Sequence, residues 1–248
     1  MYDLRRYEMK FLISAEAKAV ILEAGGETLE IDKHVEQDNV YRVTSQYYDT
    51  VDLESFWEKI DGVDPRRKFR IRLYGTEFTD ESVVFLEIKY RRGQTVFKER
   101  LRLAEGSAEY FLKSASPLED LDCHCLAEKP AEKDILANFV AASAVVRVPS
   151  NVISYLREPW VGKVDRRLRV TFDHVATALY PTKIEEAMAG EGLPLFPPNK
   201  VLLEVKFSSR LPIWLRDILI AEGLSPIRFS KYATGVEKQT LQLKGAQR

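Results

Sequence analysis

The stretch Lys68-Phe69-Arg70-Ile71-Arg72-Leu73 alternates a charged residue with an apolar one at every step. Side chains of a β-strand point to opposite faces in turn, so Arg70 and Arg72 share one face while Phe69, Ile71 and Leu73 share the other. The pattern recurs along the chain. Glu87, Lys89 and Arg91 oppose Leu86, Ile88 and Tyr90. Lys98, Arg100 and Arg102 oppose Phe97, Leu101 and Leu103, with Glu99 the exception. Arg167 and Arg169 oppose Leu168, Val170 and Phe172, and Glu204 and Lys206 oppose Leu203, Val205 and Phe207. Glu8 and Lys10 keep the pattern near the N-terminus.

Polar strand faces ordinarily look to solvent. A solvent face mixes Thr, Ser, Gln, Glu and Lys, whereas here Arg and Lys recur in i, i+2 pairs. Like charges opposite one another on paired strands destabilise a sheet, so their accumulation makes sense where a polyanion neutralises them. Guanidinium forks bind phosphate oxygens bidentately and lysine adds a point charge, which makes a phosphate chain the natural ligand. Glu8, Glu87 and Glu204 each precede a lysine by two residues on the same face. Pairing with neighbouring cations is the plainer role for Glu8 and Glu87. Carboxylates also bind Mg²⁺ or Mn²⁺, which bridge phosphate oxygens, and Glu204 is the best metal candidate.

Outward from these stretches, strands are expected over 6–13, 41–49, 67–74, 83–91, 95–103, 152–160, 168–174 and 200–207. Ser14 caps an expected helix over 15–24 that stops at Gly25-Gly26. Further helices are expected over 107–114, 131–146, 211–221 and 231–241 from apolar recurrence at helical spacing. About eight strands with appended helices form an α+β pattern, and a closed antiparallel barrel with the helices outside would remove exposed edges. The polar breaks near 61–65, 116–130 and 190–199 are short, so residues 1–248 read as a single domain.

With 37 basic and 38 acidic side chains the net charge is −1, and no global field advertises nucleic acid or a membrane. The basic residues also lack interleaved aromatic stacking positions on the same face. No apolar run approaches the roughly 20 residues of a membrane span. Met1–Arg6 lacks the apolar stretch of a signal peptide, and Cys123 and Cys125, flanking His124, lack a second ligand pair at zinc spacing. A cytoplasmic protein with reduced cysteines is the expectation. His34, His124 and His174 show no arrangement for base catalysis. Trp57, Trp160 and Trp214 are expected in the core.

The ordered set Tyr7-Glu8-Met9-Lys10-Phe11, Ser45-Gln46-Tyr47-Tyr48-Asp49-Thr50, Phe69-Arg70-Ile71-Arg72, Leu86-Glu87-Ile88-Lys89, Leu203-Glu204-Val205-Lys206 and Phe229-Ser230-Lys231-Tyr232 resembles the VTC domain. That is the polyphosphate polymerase domain of the triphosphate tunnel metalloenzyme, or CYTH-like, superfamily, and the resemblance runs from about residue 5 to 240. It implies a tunnel of about eight strands and transfer of the ATP γ-phosphate onto polyphosphate, or onto pyrophosphate as primer, with Mn²⁺ or Mg²⁺. By that resemblance Lys10, Arg70, Arg72, Lys89, Arg157 and Arg169 hold the reacting phosphates. Lys98, Arg100, Lys206, Arg228 and Lys231 extend phosphate binding, and Glu204, with Glu87 and Glu8, meets the metal. The hydrolase branch opens with Glu-x-Glu-x-Lys where this chain has Arg6, which suits the polymerase branch. A triphosphate or nucleoside triphosphate hydrolase in the same tunnel, and a non-catalytic polyphosphate sensor, are the alternatives. Membrane attachment or product translocation would need a separate membrane protein partner. Nothing in the pattern sets the oligomeric state.

Overall fold

The structure is a computed structural model that describes residues 7–33, 35, 39–79, 81–93 and 95–246. Arg6 and His34, which entered the sequence reading, lie outside the described residues. In chain order the elements are β1 (Tyr7–Ile13), α1 (Ala15–Gly25), β2 (Leu29–Ile31), β3 (Tyr41–Asp49), α2 (Glu54–Asp61), β4 (Arg66–Tyr74), β5 (Phe85–Arg92) and β6 (Thr95–Leu103). There follow α3 (Ser107–Leu112), α4 (Leu121–His124), β7 (Cys125–Leu126), α5 (Pro130–Ala142), β8 (Val148–Gly162) and β9 (Arg169–Leu179). The chain ends with α6 (Ile184–Ala189), β10 (Leu193–Pro194), β11 (Val201–Phe207), α7 (Ile213–Ala221) and α8 (Lys231–Ala246).

All the strands join one antiparallel sheet whose main path runs β1-β11-β9-β8-β3-β4-β5-β6-β7, with β10 beside β9 and β2 beside β8. The eight long strands are the eight expected from alternation, and the short β2, β7 and β10 extend them. The ladder of hydrogen bonds does not close into a ring among the described residues. Instead β1 comes up against the far end of the sheet, where Glu8 reaches Lys89 of β5 at 3.3 Å. The last residues of β6 pair with β7 rather than with β1, so side chains rather than backbone seal this seam.

The apolar strand faces point outward under helices. Phe11, Ile13, Val170, Phe172, Leu203 and Val205 pack beneath α1 and α7, while Phe69, Ile71, Leu86 and Ile88 pack with residues of α3, α5 and α6. Ser14 accepts the Ala17 N–H at 3.2 Å and caps α1 as its sequence demands. A third core cluster belongs to α8. Tyr232 and Val236 pack on Ile153, Tyr155, Ala178 and Leu202, with Leu12 against them. Those strand residues share faces with Arg157, Glu204 and Lys10, so α8 stoppers one end of the space the sheet encloses. Gly235 makes the close approach possible, because a Cβ there would fall 2.7 Å from Asn151 Nδ2 and 2.8 Å from Ile153 Cδ1.

Three short helices escaped the periodicity, α2, α4 and α6, as did the short strands β2, β7 and β10. Trp57 on α2 departs from the expected core position, since it is 53% exposed and meets Phe56 only edge-on. Trp160 and Trp214 do pack against the core beneath α1 and α7.

Candidate phosphate-binding tunnel

The polar strand faces enclose a cavity of about 800 Å³, lined by eight basic side chains (Arg70, Arg72, Lys89, Lys98, Arg100, Arg157, Arg169 and Lys206) and two carboxylates (Glu8 and Asp32). Tyr41, Tyr74, Phe85 and Phe97 add aromatic surface. Alternation on six different strands brings these cations together.

On one wall, β4 and β5 pair Arg70 with Glu87 in register. Arg70 donates Nε to Glu87 Oε2 at 2.8 Å and Nη1 to the Tyr47 hydroxyl at 3.0 Å. Lys98 donates to Glu87 Oε1 at 2.7 Å, and Arg72 Nη1 lies 3.7 Å from Oε2. Arg72 also donates to Ser45 Oγ at 3.1 Å and to the Tyr155 hydroxyl at 3.3 Å. Burial opposes ionisation of the Glu87 carboxyl, but Arg70, Arg72 and Lys98 outweigh it and hold the carboxyl far below its usual range. Burial pushes the Lys98 amine down to about 8, with Arg72 and Arg70 adding to the shift and Glu87 opposing it.

The opposite wall is a network on β1, β8, β9, β11 and α8. Arg157 grips Asp173 with a two-pronged fork, Nε to Oδ1 at 2.7 Å and Nη2 to Oδ2 at 2.8 Å. It also donates to Glu204 Oε2 at 3.1 Å. Lys231, from the first turn of α8, donates to Asp173 Oδ2 at 2.5 Å and Glu204 Oε1 at 3.0 Å. Lys10 lies 3.2 Å from Glu8 and 3.3 Å from Glu204, and Lys206 lies 3.7 Å from Glu204. Glu204 is opposed by burial, yet Lys231, Lys10, Lys206 and Arg157 hold it well below the ordinary carboxyl range. Burial brings the Lys206 amine down to about 8 against the pull of Glu8 and Glu204. Arg169 pairs with Asp32, which follows β2.

Thirteen of the fourteen side chains singled out from the sequence therefore line the cavity or join the ion network at its walls. Arg100 sits at the exposed margin with its guanidinium 4.5 Å over the Phe85 ring. Arg228 is the exception. It is exposed, lines no part of this cavity, and influences Lys59 and Arg66 instead. Its neighbour Lys231 points into the network because α8 begins there and turns the two side chains apart. The sequence reading gave no role to Asp173, Asp32, Tyr47 or Tyr155. Asp173 was legible, since it shares a strand face with Arg169 and Thr171. Asp32 was not, because β2 is too short to show alternation.

The donor set bears on a metal. Among the described residues no group of three or more His, Cys, Asp or Glu side chains could by itself hold an ion. Mg²⁺ is often held through one or two carboxylates plus substrate phosphates and water, and Glu8 and Glu204, joined through Lys10, fit that arrangement. Cations face both oxygens of Glu87, as they do those of Glu204, but the charged neighbours of Glu87 are Arg70, Arg72 and Lys98 with no second carboxylate among them, which makes it a holder of Arg70 and Lys98.

The VTC domain family model matches residues 5–240. The chain belongs to the VTC domain family. No curated protein matches this VTC domain. Among solved structures, a "putative adenylate cyclase" from Bacillus halodurans aligns over 91% of this chain and 94% of its own, at 14% identity and a TM-score of 0.49. No described helix of the VTC domain is long and apolar enough to cross a membrane.

Proposed function

We propose that this VTC domain is a polyphosphate polymerase, which transfers the ATP γ-phosphoryl group to the end of an inorganic phosphate chain. The observation that carries the reading is the convergence of eight basic side chains and only two carboxylates on one cavity of about 800 Å³. A triphosphate is small, flexible and densely charged, and it matches such a site where a neutral substrate would not.

In this reading Arg70, Arg72, Lys89 and Lys98 hold the triphosphate from the Glu87 wall, while Lys10, Arg157, Arg169 and Lys206 face it from the other. A terminal oxygen of the acceptor chain attacks the γ-phosphorus, the bond to the bridging β-phosphate oxygen breaks, and ADP leaves. Charge spreads over the equatorial oxygens of the transferring group, where fixed cations stabilise it without reorganisation. The acceptor is already an anionic nucleophile, so no general base is called for, and among the described residues the cavity lining includes no histidine or cysteine. Mn²⁺ or Mg²⁺, held at Glu204 and Glu8 together with phosphate oxygens, would supply further charge neutralisation.

The test is incubation of the purified chain with ATP, Mn²⁺ and a pyrophosphate or short polyphosphate primer, with products resolved by gel and phosphorus NMR. Chains longer than the primer, with ADP in proportion, are expected. Free phosphate without chain growth would replace the polymerase by a triphosphate hydrolase. Tight binding with no turnover under any metal would make the tunnel a sensor.

A further inference from the structure

Four aromatic side chains line the polar cavity. Phe97 stacks on Tyr90, which packs with the outer core. The other three stand at strand ends on adjacent strands: Tyr41 opens β3, Tyr74 closes β4 and Phe85 opens β5. Register places Tyr41 beside Arg157 and Phe85 beside Arg72. Tyr74 follows Arg72 by two residues, a step of about 6.6 Å along the same strand face. The other ends of β3 and β4 meet α8, where Tyr47 stacks on Tyr232 and the Lys68 amine lies over the Tyr232 ring. Tyr41, Tyr74 and Phe85 therefore rim the end of the cavity away from α8.

Core packing does not account for these rings. Tyr74 is 36% exposed, and Tyr41 and Phe85 are half-buried. Tyr47 and Tyr155, nearer α8, accept hydrogen bonds from Arg70 and Arg72. The Tyr41 and Tyr74 hydroxyls bond no protein group among the described residues. Tyr74 instead meets Tyr41 edge-on with ring centroids 5.8 Å apart, and Phe85 carries the Arg100 guanidinium 4.5 Å from its ring centre. Aromatic faces and guanidinium planes are the groups on which nucleobases stack. The cation array begins beside them at Arg72, and in a nucleoside triphosphate only the ribose separates the base from the phosphates. On β3 to β6 no cavity-lining residue among those described carries an amide or a carboxylate. Such groups read base edges through matched donors and acceptors, so this rim recognises the face of a base rather than its edge.

We infer that Tyr74, Phe85 and Arg100, with Tyr41 bracing Tyr74, form a stacking site for the purine base of a nucleoside triphosphate. The inference rests on the reading of the cavity as a phosphate tunnel, and adds which nucleotides it takes and which way round. A purine covers more of this surface than a pyrimidine does, whereas adenine and guanine differ at their edges and bind alike. Stacking at the rim holds the nucleoside outside and turns the γ-phosphate inward, toward Arg157 and Lys10.

Isothermal titration of the full chain without divalent metal compares ATP, GTP, CTP and inorganic tripolyphosphate. ATP and GTP are expected to bind equally, and several-fold tighter than CTP. Phe85→Ala and Tyr74→Ala should each weaken ATP on the order of 10-fold, the scale of one base–aromatic stack, and leave tripolyphosphate affinity unaltered. Tyr74→Phe keeps the ring and should bind ATP like the parent. A folding failure in one alanine variant leaves the other to decide, and the comparison of ATP with CTP in the parent needs no variant. Equal affinity for ATP and CTP would overturn the stacking site and leave the tunnel standing. So would ATP binding that neither alanine variant weakens, or a loss shared equally by tripolyphosphate in chains that unfold at the parent's urea midpoint. Failure of the parent to bind tripolyphosphate would overturn the tunnel and this site with it.

Discussion

Arg70 and Glu87 face each other in register across β4 and β5, and the guanidinium donates to the buried carboxylate at 2.8 Å. Glu87 also receives Lys98 at 2.7 Å and lies near Arg72, so one anion holds three cations in place. Glu87→Gln leaves those cations mutually repelling in a partly buried wall. Removing one partner of a buried ionic network costs about 3–5 kcal/mol, and the same order is expected here. Tripolyphosphate should restore more stability to the variant than to the parent, because it replaces the lost negative charge. Urea denaturation with and without tripolyphosphate measures both effects. Equal stability of the two chains without ligand would remove Glu87 from this role.

Glu204 differs from Glu87 in what surrounds it. Its oxygens contact Lys231, Arg157 and Lys10, and Glu8 lies across Lys10 from it. Glu204→Gln is expected to lower turnover by a factor on the order of 100 or more, the scale set by removing one electrostatic contributor from a preorganised site. Tripolyphosphate binding without metal should be retained, since every cation remains. Steady-state kinetics beside titration calorimetry separates the two. Full activity in the variant would sink the assignment of Glu204 to the metal.

The strands and the tunnel face were legible because alternation is a property of sequence. Arg70-Ile71-Arg72 announces both its conformation and the unusual chemistry of its polar side. The closure of the tunnel was not legible. It depends on Glu8 meeting Lys89 across a gap that no backbone ladder bridges among the described residues, and on Gly235 letting α8 approach Ile153, and neither contact leaves a periodic trace. Trp57 shows the opposite failure. Its size argues for burial, but on the two-turn helix α2 only one face meets the sheet, and Phe56 takes it. Arg228 and Lys231 are three residues apart, and only the start of α8 between them separates tunnel from exterior.

Lys98 gives the tunnel a pH dependence whose two consequences have opposite sign. Its amine titrates near 8 in the folded chain against an ordinary value of 10.5. Below pH 8 the amine is charged and, in the proposed function, would contribute to phosphate binding. Above pH 8 the free chain loses that charge, so tripolyphosphate affinity should fall as pH rises through 8 to 9. Between about pH 8 and 10 the unfolded chain binds the proton that the folded one has released, so this group's contribution to stability rises with pH. Lys206, also near 8, adds in the same direction. Lys98→Arg should flatten part of the affinity profile measured by calorimetry without metal. A profile unchanged by that substitution would exclude Lys98 as its source.

Asp49 holds α2 and α8 to the sheet through one buried carboxylate. Its Oδ1 accepts the backbone N–H groups of Thr50 at 2.9 Å and Ser55 at 2.8 Å. Its Oδ2 accepts the Phe56 N–H at 3.0 Å and the hydroxyl of Tyr232 on α8. Leu53, at the start of α2, has a φ of 59° and offers no side-chain cap, so Asp49 supplies the cap from four residues upstream. Burial drives the Tyr232 hydroxyl far above its usual range, and the Asp49 charge adds to that shift, so the phenol remains a donor. Asp49→Ala strands several buried donors at about 1–3 kcal/mol each, and a loss on the order of 3 kcal/mol or more is expected. Tyr232→Phe removes one donor and should cost about 1 kcal/mol. Because the two side chains share a hydrogen bond, the double variant should lose less than the sum of the single losses. Urea denaturation of the four chains completes the cycle. Additive losses would show that Tyr232 and Asp49 act independently and that α8 is held by its apolar packing alone.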